Sequence, residues 1–202
     1  MAVDQQKDVS RLSEAINFPN ALSLLRALIG FPVIYCLQVG TAEMLIAALV
    51  LMAIAEISDG LDGIIARRSK IVTSFGKVID PMADSLYRAL VFLGFLSVGW
   101  MPVWFVAIIF GRDIIVSYVR TLSQQMAFTF AARNSGKFKA FVQAVAQFST
   151  IGLYLAVIYG YELPAAEISF WLLAAATLFT AYSCVDYVRG LLEVIQKRKS
   201  QD

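Results

Sequence analysis

Residues Met44–Arg67 read MLIAALVLMAIAEISDGLDGIIAR, an apolar run that ends in Asp59, Asp62 and then Arg67. A membrane-spanning helix needs roughly 20 mostly apolar residues, and the stretch from about 43 to 66 satisfies that length. A charge at mid-bilayer costs about 2.5–3.5 kcal/mol on insertion scales, and less near the interface. The segment therefore predicts a transmembrane helix with a polar site at one end.

Working outward, five more segments have the same character, at about 20–39, 76–99, 103–128, 138–160 and 166–194. Turn chemistry separates them: Val39-Gly40-Thr41, Gly99-Trp100-Met101-Pro102, Asn134-Ser135-Gly136 and Gly160-Tyr161-Glu162-Leu163-Pro164. Composition agrees, with 59% hydrophobic and 16% charged residues and a mean hydropathy of +0.70. Soluble domains carry about 25% charged residues. The basic residues set the orientation. Lys7 and Arg11 precede the first span; Arg67, Arg68, Lys70 and Lys77 lie between the second and third. Arg133, Lys137 and Lys139 lie between the fourth and fifth, and Lys197, Arg198 and Lys199 follow the sixth. The other three connections hold only Glu43, Glu162 and Glu167. The expected fold is an all-α membrane protein with six transmembrane helices, both termini cytoplasmic and a polar site at the cytoplasmic side. Residues 1–16 read as a surface or juxtamembrane segment, 17–196 as one six-helix domain without internal repeats, and 197–202 as a basic tail.

Several function classes drop out. The net charge is only +2 and no basic stripe sits on a soluble domain, so nucleic acid is not an expected partner. Cys36 and Cys184 are far apart inside apolar runs, which reads as packing rather than a disulfide or zinc site. The N-terminal residues lack the basic head and apolar run of a secretory signal. With no histidine in the chain, chemistry must rest on carboxylates.

Those carboxylates are Asp59, Asp62, Asp80 and Asp84, at the cytoplasmic ends of the second and third spans. Spacings of three and four residues put each pair on one helix face. Pointing at lipid is too costly, so they are expected to face each other, water or a cation. Hard oxygen ligands without His or Cys favour Mg²⁺ or Mn²⁺. Gly63 and Ala66 share the Asp59 face and Gly76 the Asp80 face, which clears room for a bulky ligand. Arg67, on the same face, offers a phosphate clamp. Singly these residues read as helix caps, packing glycines or orientation charges. Together they outline a diphosphate site.

The pattern Asp59-x-x-Asp62-Gly63-x-x-Ala66-Arg67, eight residues, Gly76, three residues, Asp80, three residues, Asp84 resembles the signature of the CDP-alcohol phosphatidyltransferases at every fixed position. The six-span layout is similar too. The resemblance implies transfer of a phosphatidyl or related group from a CDP-linked lipid to an alcohol, with release of CMP. It implies that Asp59, Asp62, Asp80 and Asp84 hold two divalent ions, with Asp84 also the general base. It further implies that Pro19, Asn20, Gly63, Arg67, Thr73 and Gly76 contact the CDP-lipid. Asp84 in that role requires a tightly positioned acceptor hydroxyl.

The acceptor is read elsewhere. Asn17-Phe-Pro19-Asn20-Ala-Leu-Ser23-Leu-Leu-Arg26 resembles the opening of bacterial phosphatidylglycerophosphate synthases. Gly111-Arg112-Asp113-Ile-Ile-Val-Ser117-Tyr-Val-Arg120 and Gly136-Lys137-Phe138-Lys139 with Gln143 resemble two further segments of that group. Asp113 and Ala140 depart from it, standing where it usually has Glu and Thr. Arg112, Arg120, Lys137 and Lys139 make a candidate pocket for the phosphate of sn-glycerol 3-phosphate. Inositol phosphate, inositol and serine stay open as acceptors, and Lys137 and Lys139 also read as orientation charges. An ion or proton transporter is the non-enzymatic alternative, but it favours mid-span acids and repeated halves. The expected surroundings are CDP-diacylglycerol, a small phosphorylated alcohol and the bilayer of a bacterial cytoplasmic membrane, with a homodimer as the assembly the resemblance suggests.

Overall fold

A computed structural model describes residues 18–69, 76–125 and 134–199, joined where described by short connections. They form six helices: α1 Phe18–Val39, α2 Ala42–Ser69, α3 Gly76–Ser97, α4 Val103–Gln125, α5 Asn134–Ile158 and α6 Ala165–Lys199. All regular structure among the described residues is helical. Ala21–Val39, Phe138–Ile158 and Ala165–Glu193 are long and apolar enough to cross a membrane. The other three helices carry charged side chains within their length, including Glu56, Asp59, Asp84, Arg88, Arg112 and Asp113.

Three of the four sequence breaks end helices as glycine caps do. Gly40, Gly99 and Gly160 have φ of 69°, 76° and 92°, a region open to glycine at little steric cost. After α3, Trp100 N–H donates to Phe95 C=O at 2.9 Å and Gly99 N–H to Leu96 C=O at 3.1 Å. The same pair of bonds closes α5, from Tyr161 to Ala156 and from Gly160 to Val157. The fourth break differs from expectation. Asn134-Ser135-Gly136 does not separate two helices but opens α5, and the Ser135 hydroxyl donates to Asp186 Oδ2 on α6 at 2.7 Å. Polar residues of a turn are equally good at a helix N-terminus, where backbone donors lack partners.

The chain divides into two compact units, residues 1–94 and 95–202. In the first, α1 packs on α2, and α1 approaches α3 closely at two glycines. Gly30 faces Leu90 and Gly94 faces Leu37, so the absence of side chains lets the backbones approach. Val33, Leu45, Met52, Ala83, Val91 and Phe92 are buried there.

In the second unit α6 packs against both α4 and α5. Both α5 and α6 bury polar side chains: Gln143, Gln147 and Thr150 on one, Thr177, Thr180 and Ser183 on the other. Gln143 Nε2 donates to Thr180 Oγ1 at 2.9 Å, and that hydroxyl donates to Ala176 C=O at 2.7 Å. Such bonds join helices where lipid supplies no hydrophobic drive.

Candidate active site

In the first unit, α2 and α3 each bring a described aspartate to a buried arginine. Arg26 of α1, 2% exposed, pairs with Asp59 of α2, which is 48% exposed. Arg88 of α3 is also buried, and its Nε donates to Asp84 Oδ1 one turn earlier at 3.2 Å. Its Nη1 lies 2.9 Å from Glu56 Oε1 on α2, and Nη2 donates to Glu56 Oε2 at 3.2 Å. Each of these two aspartates thus has a guanidinium of the chain beside it. Both carboxylates keep an accessible side, whereas both arginines are enclosed. A buried guanidinium without its carboxylate would be strongly unfavourable, so these pairs tie the three helices together.

Asp62, Gly63 and Arg67 lie on α2, Gly76 and Asp80 on α3, and Pro19 and Asn20 in the first turn of α1. Their backbones are helical, and their side chains lie outside the described residues, as does all of Thr73. Among the described residues no three acidic or cysteine side chains converge as a metal-ligand group. By donor chemistry the site fits Mg²⁺ or Mn²⁺, because Asp59 and Asp84 offer hard, partly exposed oxygens and the chain has no histidine. A Cβ at Gly60, beside Asp59, would meet nothing within 4 Å.

The second unit gathers the basic residues. Arg112 Nη1 donates to Asp113 Oδ1 at 2.9 Å and Nη2 to Ser183 Oγ of α6 at 2.7 Å. Lys139 of α5 reaches the same Asp113 oxygen at 2.6 Å. Arg120 Nη2 donates to the Tyr187 hydroxyl at 3.0 Å. Both guanidiniums lie 5.4 Å from the centre of the Tyr187 ring, within cation–π range. Arg112, Arg120 and Lys139 are therefore brought together around Asp113 and Tyr187. Lys137 lies in the first turn of α5, with its side chain outside the described residues.

Several members of these clusters were not assigned a role from the sequence. Glu56 and Arg88 had a usable signal, since they sit three before Asp59 and four after Asp84 and interrupt apolar runs. Tyr187, Ser183 and Asp186 had none, because their partners are 51 to 75 residues away.

Known proteins resemble the chain over most of its length. A Mycobacterium tuberculosis protein named "Probable phosphatidylglycerophosphate synthase" is 32% identical over 201 residues, covering 96% of this chain and 92% of its own. A Bacillus subtilis protein named CDP-diacylglycerol–glycerol-3-phosphate 3-phosphatidyltransferase is 31% identical over 183 residues, covering 85% and 93%. A Drosophila melanogaster protein named "Probable cardiolipin synthase (CMP-forming)" is 29% identical over 199 residues, covering 91% of this chain and 61% of its own. The family model described as CDP-alcohol phosphatidyltransferase matches residues 16–188, a span that includes every aspartate of the acidic motif and every residue of the basic cluster. With that match across most of its length, the chain belongs to the CDP-alcohol phosphatidyltransferase family.

Proposed function

We propose that the protein transfers the phosphatidyl group of CDP-diacylglycerol to sn-glycerol 3-phosphate, giving phosphatidylglycerophosphate and CMP. The observation that carries the acceptor is the convergence of Arg112, Arg120 and Lys139 around Tyr187 and Asp113. Asp113 pairs with Arg112 and Lys139 while Arg120 bonds the neutral Tyr187 hydroxyl, and two planar guanidiniums suit the oxygens of a phosphate monoester. The names of the Mycobacterium and Bacillus relatives point to the same acceptor. The Drosophila relative's name gives a second reading, in which a phosphatidylglycerol-type lipid accepts the group. A phosphodiester carries less charge than a monoester, so the basic cluster favours the soluble acceptor.

On the donor side, Asp59, Asp62, Asp80 and Asp84 would hold two divalent ions, which when bound neutralise the diphosphate and the leaving CMP. Pro19, Asn20, Gly63, Arg67, Thr73 and Gly76 would orient the CDP-lipid. The acceptor hydroxyl attacks the phosphorus bearing the diacylglycerol; its proton passes to Asp84 as the bond to CMP breaks. We place the enzyme in the bacterial cytoplasmic membrane as six spans, with both termini and the site cytoplasmic. Polar CDP and a soluble acceptor then meet the site from water while the acyl chains stay in the bilayer. A homodimer remains part of this reading.

Purified protein supplied with Mn²⁺ and CDP-diacylglycerol should release CMP with sn-glycerol 3-phosphate, and far less with inositol phosphate, inositol, serine or phosphatidylglycerol. Release that depends on one of those instead would replace the acceptor. No CMP with any of them, alongside ion flux in liposomes, would overturn the transferase reading.

A further inference from the structure

We infer that Glu56 and Arg88 are a positioning pair for Asp84. This rests on the reading of Asp84 as the base, and it adds two residues outside the acidic motif. Arg88 is buried and its guanidinium is shared between two carboxylates on different helices. The terminal nitrogens span both oxygens of Glu56 on α2. The remaining nitrogen, Nε, donates to Asp84 Oδ1 on Arg88's own helix, α3.

The planarity of the guanidinium makes this arrangement directional. One terminal nitrogen donates to Glu56 Oε2 and the other lies 2.9 Å from Oε1 as an ion pair, which together constrain the plane and the Nε–H direction. Asp84 cannot swing about its side-chain bonds without losing that hydrogen bond. Nε takes Oδ1, and in this reading the second oxygen is the one that meets the acceptor hydroxyl. Glu56 sits one helical turn before Asp59 and Arg88 one turn after Asp84. The bridge thus joins α2 to α3 one turn away from the two described aspartates and fixes the spacing of the helices that carry the whole acidic motif. A structural ion pair needs only opposite charges; a positioning pair needs the fork, because Lys has the charge but cannot hold two carboxylates in one plane.

The test separates these roles in the full-length enzyme. Steady-state CMP release and calorimetric binding of CMP are measured for wild type, Asp84→Asn, Arg88→Lys, Glu56→Gln and the double variant Glu56→Gln/Arg88→Met. Misplacing a reacting group by about 1 Å can cost about 100-fold, so Arg88→Lys and Glu56→Gln should each lower kcat at least about tenfold. The KM for CDP-diacylglycerol and the affinity for CMP should stay within about twofold. The double variant should lose no more than the worse single variant, because the two residues act as one unit. It leaves no half of the pair buried alone, so it stays informative if Arg88→Lys does not fold. Folded, CMP-binding variants with kcat within about twofold of wild type, or losses that multiply in the double variant, overturn the inference. If Asp84→Asn itself keeps its turnover, the base assignment falls instead, and the pair's role falls with it.

Discussion

At the scale of single residues, the proposed acceptor pocket is tested at Tyr187. Its ring centre lies 5.4 Å from each of two guanidiniums, and its hydroxyl accepts from one of them. A net hydrogen bond contributes about 1 kcal/mol, and a partly desolvated cation–π contact about as much again. Tyr187→Phe keeps the ring and should raise the KM for sn-glycerol 3-phosphate by about fivefold; Tyr187→Leu should raise it by tenfold or more. The KM for CDP-diacylglycerol should not move in either variant. Initial-rate kinetics with each substrate varied in turn checks both statements, and a shift confined to the CDP-lipid would count against the acceptor pocket. Nothing local marks this tyrosine among the eight in the chain, because its partners come from α4. The four aspartates, by contrast, were legible at once, since lipid leaves ionised side chains so few places to go.

At the scale of elements, the two glycine contacts between α1 and α3 differ in what they tolerate. A Cβ built on Gly30 would lie 2.6 Å from the Cβ of Leu90, an atom fixed by its own backbone. One built on Gly94 would lie 2.7 Å from Leu37 Cδ1, the free end of a flexible side chain. Gly30→Ala therefore forces the helices apart and should cost about 1–3 kcal/mol, whereas Gly94→Ala should cost less because Leu37 can change rotamer. Thermal unfolding of the two variants in the same detergent gives the order; a larger loss for Gly94→Ala would contradict the packing. Helix positions were readable from apolar length, and three of the four breaks were readable from glycine in turns. The start of α5 was not, because Asn, Ser and Gly serve turns and helix N-termini equally well.

At the scale of the whole molecule, the proposed topology places Gly40, Gly99 and Gly160 on one side of the membrane and every basic connection on the other. A fluorescent protein fused after Asp202 should be bright, and alkaline phosphatase at the same point inactive; a phosphatase fusion truncated after Glu162 should be active. The reverse pattern would invert the orientation. Membrane character, the acidic motif and the chemistry of the donor half were determined by the sequence alone, because hydropathy, charge cost and helical spacing are local quantities read within one or two elements. What only the tertiary structure decided is which side chain answers each of those charges. It matched Arg26 to Asp59 and Arg88 to both Glu56 and Asp84, and it gathered Arg112, Arg120 and Lys139 about Tyr187 and Asp113. Most of these partners lie on different helices, up to 75 residues apart in the chain, and such pairings exist only once the helices have packed.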